Sequence, residues 1–140
     1  MKKKGILNKR LMEAIADMGH TDIMIIGDAG VPIGRPEQRV DLAVAEDLPT
    51  IGQVADLIMD EMIFEKVVVA EEQKMYNPLH FANIEGMVKK RYDTMEIDTM
   101  PHEDFFKEYL PKAKYIVRTG ALMPWGNVVL VAGIDAKKWF

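Results

Sequence analysis

The sequence contains no cysteine. Disulfides and thiolate metal sites are therefore excluded, and the chain suits a reducing compartment, the cytoplasm being the expectation. No apolar run approaches the roughly 20 residues of a membrane-spanning helix. Three lysines open the chain in "MKKKGIL", but no long apolar segment or small-residue cleavage site follows, so no signal peptide is expected. Basic residues do not cluster with aromatics and the formal net charge is -4, which argues against nucleic-acid binding. Internal repeats, low-complexity tracts and linkers are also lacking. The glycines of "GDAGVPIG" do not sit in the strand-to-helix setting of a dinucleotide fingerprint, and there is no nucleotide-phosphate loop.

What is present is an ordinary globular balance, 49% hydrophobic and 29% charged residues in a chain of 140. That length suits one domain, expected to span 1–140, with a substantial core. The eleven methionines lie mostly among apolar neighbours, as in "MIIG" and "LIMDEM", and read as fillers of core and interface gaps.

Hydrophobic spacing predicts a helix over 8–18 with Asn8 as N-cap and Gly19 as its stop. "DIMIIGD" reads as a buried strand, and "AGVPIGRPEQR" as a loop broken by glycine and proline. A weak alternation over 40–44 suggests a short strand. Thr50 caps a second helix, with Ile51, Val54, Leu57/Ile58 and Met62 on one face. "EKVVVAEE" reads as a strand buried on both faces, with Glu71 and Glu72 at its solvated end. Asn77 as N-cap and Pro78 in the first turn open a helix to about Tyr92. "TMEIDTM" is a strand candidate, "PHEDFFKEYL" a helix, and "KYIVRTG" and "NVVLVAGI" are two further strands. Helices alternating with buried strands predict an α/β fold with a largely parallel sheet. The link between the last two strands is too short for a helical crossover, so they are expected to pair antiparallel with each other.

Ligands of parallel sheets gather beyond the carboxyl ends of the strands. Asp28, Glu71/Glu72, His102, Trp125 and Asn127 all fall near that end. His20 falls at the opposite end of its strand, and reaches such a site only through a turn or a neighbouring subunit. Each residue alone also has a plain structural role: His20 at a helix C-terminus, Asp28 and Asn127 in turns, His102 in a first helical turn, Trp125 in a core or interface. His80 shows no partner in the sequence and reads as structural. The three histidines could supply a metal by count, but no short ligand spacing supports it.

The combination is more specific. "KKKGILN", "MGHTDIMIIGDAGVP", "EKVVVAEEQKMYN", "PHEDFF", and "IVRTG" leading to "PWGN" occur in one order, and together they resemble the D-ribose pyranase family, related to fucose mutarotase. The resemblance runs from Lys2 to about Gly133. It implies a three-layer α/β/α fold, a largely parallel but mixed sheet flanked by helices. It also implies a cofactor-free enzyme acting on a monosaccharide, converting pyranose ribose to furanose ribose, in a homo-oligomer built as a pentameric ring or a decamer. His20 matches the family's catalytic histidine, Asp28 and His102 its sugar-binding residues, and Trp125, Gly126 and Asn127 its last substrate-contacting stretch. The chain departs from the family pattern twice: Ala121 stands where glutamate is usual after "RTG", and Trp125 where tyrosine is usual. Indole keeps a stacking face and one N–H donor but loses the acceptor that a phenol offers. Other readings are a fucose-type anomer mutarotase, a mutarotase for another sugar, a non-catalytic sugar-binding or regulatory subunit, and a metal-dependent hydrolase using the histidines.

Overall fold

The computed structural model describes residues 1–140. Its elements in chain order are α1 (Lys9–Asp17), β1 (Ile23–Gly27), β2 (Arg39–Asp41), α2 (Ile51–Glu61), β3 (Phe64–Ala70), α3 (Glu71–Tyr76), α4 (Pro78–Arg91), β4 (Asp98–Met100), α5 (His102–Tyr109), β5 (Ala113–Arg118), β6 (Val128–Ala132) and α6 (Ala136–Trp139). Two of the three expected N-caps have the expected chemistry. Asn8 accepts from Leu11 N–H at 2.9 Å, and Thr50 forms a reciprocal capping box with Gln53. "TMEIDTM" contributes only the three-residue β4, and the weak alternation near 40 becomes β2. Glu71 and Glu72, expected at a solvated strand end, instead open α3, where acidic residues suit the helix dipole.

One six-stranded sheet has the order β2-β5-β1-β6-β3-β4. β5 lies parallel to both β1 and β2, and β3 parallel to β4. β6 runs antiparallel to β1 and to β3. Five strands therefore share one direction and β6 alone opposes them. The expectation that β5 and β6 pair with each other is wrong. The short link does reverse the chain, but β1 fills the place between the two strands. β1 can do so because Met24, Ile25 and Ile26 are all fully buried, as a central strand covered on both faces requires.

Alternate residues point to opposite faces. Met24, Ile26, Val67, Val69, Val117, Val128 and Leu130 join a core of 24 buried residues with α1, α2 and α4. Ile25, Val68, Ile116 and Val129 join a smaller core of 8 with Phe105 and Tyr109 of α5. The architecture is three-layer α/β/α, unequal in its two outer layers.

The carboxyl ends of β1, β2, β3, β4 and β5 share one edge of the sheet, and β6 begins there. The opposite edge holds the start of β1 and the end of β6. This division places the site.

Leu130 lies in the middle of β6 and is fully buried in the larger core. Leu130→Ala is expected to destabilise the fold by roughly 2–5 kcal/mol, through lost burial and the cavity left behind. Chemical denaturation monitored by circular dichroism measures it.

Candidate functional site

At the carboxyl edge, Asp28 follows β1 directly and Asn127 precedes β6 directly. Antiparallel pairing of β1 with β6 brings them together: Asp28 N–H donates to Asn127 Oδ1 at 2.9 Å. Asp28 Oδ1 accepts from Gly30 N–H at 2.9 Å, an Asx turn that fixes the carboxylate. Its Oδ2 and Asn127 Nδ2 make no bond within the protein. A free acceptor on Asp28 and a free donor on Asn127 thus remain on two residues joined by a hydrogen bond, groups of the kind that recognise hydroxyls. Ala121, buried completely, accepts from Ala29 N–H at 3.0 Å through its carbonyl and so braces the same turn.

His102 opens α5 on the same edge. Pro101 offers no side-chain cap, and Glu72 supplies one from α3: its Oε2 accepts from His102 N–H at 2.9 Å. The imidazole packs edge-on against Phe106, with centroids 5.1 Å apart. Trp125 sits in the loop before β6 with φ +50, left-handed backbone that a side chain rarely adopts. Its indole lies against Tyr76 at 5.2 Å between centroids, leaving it partly exposed. Gly126 next to it is tightly packed: a Cβ there would stand 2.7 Å from the Met123 side chain and 3.0 Å from Ile51, so Met123 would have to move.

Two residues that the sequence reading left structural hold this loop from behind. His80 Nε2 donates to Gly126 O at 2.9 Å and the side chain is buried. Asn77 does not cap its own helix; its Nδ2 donates to Pro124 O at 3.1 Å. Gln73, also missed, donates to Trp125 O and Asn127 O. No sequence signal marks these, because their partners are carbonyls some fifty residues away, |i−j| being 46 to 54.

The cavities of a single copy do not include one lined by Asp28, His102, Trp125 or Asn127. The group forms an open face. A cavity of about 330 Å³ adjoins it, lined by Ala29, Arg118, Gly120 and Leu122 among others.

His20 lies at the other edge. "GHTD" forms a tight turn in which Asp22 Oδ2 accepts from Gly19 N–H at 2.7 Å. That bond, with Lys114 beside it, holds the Asp22 carboxyl below the ordinary carboxylate range. Thr21 takes φ +72, a strained conformation for a β-branched residue costing on the order of 1–3 kcal/mol. The turn presents His20 to solvent. Its Nε2 lies 2.9 Å from Glu65 Oε2. Glu65 is the extra residue of a β-bulge between Phe64 and Lys66, and bulges re-aim side chains in this way. Four strand steps of ~3.3 Å separate Ile23 from Gly27, so one copy holds His20 and Asp28 well over ~10 Å apart. Asp28, His102, Trp125, Gly126 and Asn127 share one edge; His20 does not join them within the chain.

Fold and site together define a class: a small α/β domain with a polar, solvent-open ligand face at the carboxyl edge of its sheet. The kind is given by comparison. The chain belongs to the RbsD / FucU transport protein family, whose model matches residues 1–135. It is 48% identical to D-ribose pyranase 2 of Rubrobacter xylanophilus, covering 100% of this chain and 88% of that one. It is 44% identical to D-ribose pyranase 1 of Streptomyces griseus, covering 100% and 90%. Among solved structures it is similar to Bacillus subtilis RbsD complexed with D-ribose, with a TM-score of 0.85, 37% identity, and 96% and 99% of the two chains covered. FucU of Bifidobacterium longum shares the fold, with a TM-score of 0.77 at 17% identity.

Burial holds His80 below the ordinary histidine pKa, against the opposing effect of its bond to Gly126. The folded chain therefore binds this proton less readily than the unfolded chain. The stability it contributes is complete above the ordinary value of about 6.5 and is lost as pH falls through the lower, folded-state value. Thermal unfolding at a series of pH values is expected to show this acid-side loss, and His80→Gln, which can donate but not titrate, is expected to flatten it.

Proposed function

We propose that the protein is a D-ribose pyranase, an isomerase that interconverts the pyranose and furanose forms of D-ribose without a cofactor. The observation that carries this is the pairing of a full-length match to D-ribose pyranases with the polar face around Asp28 and Asn127. The chain acts as one domain, in the cytoplasm; no helix is long and apolar enough to cross a membrane.

The chemistry needs only protons. A proton goes to the ring oxygen, one leaves the anomeric hydroxyl, and the bond from C1 to the ring oxygen breaks to give the open-chain aldehyde. The C4 hydroxyl then adds to C1, losing its proton as the carbonyl oxygen gains one. An imidazole can both give and take these protons near neutral pH. His20 is the proton donor. With Nε2–H held by Glu65 Oε2, the imidazolium form gives its Nδ1 proton to the ring oxygen as water or His102 takes the anomeric proton. The Nδ1 lone pair so freed takes the C4 hydroxyl proton on closing as the carbonyl oxygen regains the other. Asp28 Oδ2 and Asn127 Nδ2 hold hydroxyls, His102 donates or accepts at the sugar, and Trp125 stacks on its C–H face while Gly126 leaves room beneath.

His20 and Asp28 lie at opposite edges of the sheet, so one site takes His20 from a second copy. That requires a homo-oligomer, for which the family resemblance supports a pentameric ring or a decamer of two rings. Exposed Met75, Tyr76 and Leu79 beside the face, and Val44, Leu48 and Leu122 near it, are apolar surface that such contacts would cover.

Saturation-transfer NMR on D-ribose is expected to show accelerated pyranose–furanose exchange, reduced roughly 10²- to 10⁴-fold by His20→Ala. Unchanged exchange in that variant would sink the assignment of His20. Mixing inactive His20→Ala with inactive Asp28→Ala chains is expected to restore part of the activity, because some sites then receive both intact residues; no recovery after subunit exchange argues against a shared site.

A further inference from the structure

Four successive carbonyls of the loop before β6 are each taken by a side chain from the segment 73–80. Pro124 O accepts from Asn77 Nδ2 at 3.1 Å, Trp125 O from Gln73 Nε2 at 2.8 Å, Gly126 O from His80 Nε2 at 2.9 Å, and Asn127 O from Gln73 Nε2 at 3.2 Å. The loop's acceptors are thus turned inward as a set. Its backbone follows from that: the carbonyls of Trp125 and Asn127, on either side of Gly126, meet at one amide. Trp125 at φ +50 is the strained member, and a conformation of that kind persists only where its surroundings over-determine it.

Gln73 is the centre of this arrangement. It is completely buried, and its Oε1 has no hydrogen-bond partner in the protein. A buried acceptor left unpaired is unfavourable, and an apolar side chain of similar size would pack there without it. What an apolar residue lacks is the pair of N–H donors that Gln73 directs at Trp125 and Asn127. The amide cannot be reversed to pair Oε1 without setting an acceptor against two carbonyls. The adjacent residue on α3, Glu72, caps the helix that carries His102. One short helix therefore ties both halves of the face together.

We propose that Gln73 is a positioning residue of the sugar site: it touches no sugar, and acts by fixing the backbone that aims Trp125 and Asn127, with Asn77 and His80 completing the clamp. This rests on the assignment of Trp125 and Asn127 to sugar contact. It predicts that Gln73 sets the affinity and rate for ribose although it lies behind the loop.

The test uses the full-length protein carrying Trp139→Phe, which leaves Trp125 as the sole tryptophan of two. Trp139 is exposed on α6, beyond the end of β6, and the Trp139→Phe protein is itself the reference for both readouts. In that background, Gln73→Met keeps the volume and removes the donors. It is expected to raise acrylamide quenching of Trp125 and to lower kcat/KM for ribose exchange by about 10- to 100-fold, with KM rising, at temperatures where the variant is folded. Asn77→Ala, at a half-exposed position, is expected to move both readouts the same way by less. It decides the question if Gln73→Met does not fold. Unchanged Trp125 quenching overturns the proposal, and so does a moved loop with unchanged kcat and KM while Asn127→Ala lowers kcat/KM. If Asn127→Ala and Trp125→Ala also leave exchange unaltered, it is the sugar-contact assignment that has failed, and the positioning role falls with it.

Discussion

The structure turns on the direction of one strand. β6 runs against β1 and β3, while every other strand shares their direction. Had β6 been parallel, it would end, not begin, at the carboxyl edge, and Asn127 would lie far from Asp28. Because it is reversed, the loop that starts it enters at the edge where five strands finish. The bond from Asp28 N–H to Asn127 Oδ1 is the local consequence. The open face of donor, acceptor, imidazole and indole is the larger one.

The same reversal shapes the opposite edge. There β6 ends beside the start of β3, with a bulge at Glu65. That bulge sets a carboxylate against His20, which the strained "GHTD" turn holds out into solvent. A histidine with an anchored Nε2 on an exposed turn is prepared for proton transfer, but not to anything bound at the far edge of its own chain. The two edges make a coherent enzyme only if copies are arranged edge to edge. Assembly in this reading is part of the chemistry and not merely of stability.

Much of this was legible beforehand, for local reasons. Asn8 and Thr50 announce their helices because a cap acts over three residues. The apolar runs of β1, β3 and β6 announce central strands because both faces are covered. Asp28 and Asn127 could be put at the ligand end from strand polarity alone. Other features were not legible. β5 and β6 were expected to pair because a short link usually joins neighbours, yet the insertion of β1 between them depends on which hydrophobic strand packs best at the centre. Glu72 looked like a solvated strand end until α3 brought it to His102 N–H. Asn77 looked like a cap until its amide was found on Pro124 O.

The sequence by itself determined most of the element types, though not α3 or α6, together with the buried strands, the family, and the residue kinds available for proton transfer and hydroxyl recognition. These follow from periodicity, capping and motif, all of which act over a few residues or are carried as residue identity. Only the tertiary structure decided the sheet order, the meeting of Asp28 with Asn127, the bond of His20 to Glu65, and the burial of Gln73 against the loop it holds. Those depend on hydrogen bonds between groups far apart in the chain, where backbone carbonyls, identical in every residue, serve as the partners. A sequence names side chains, but a clamp on four carbonyls has no letter to mark it.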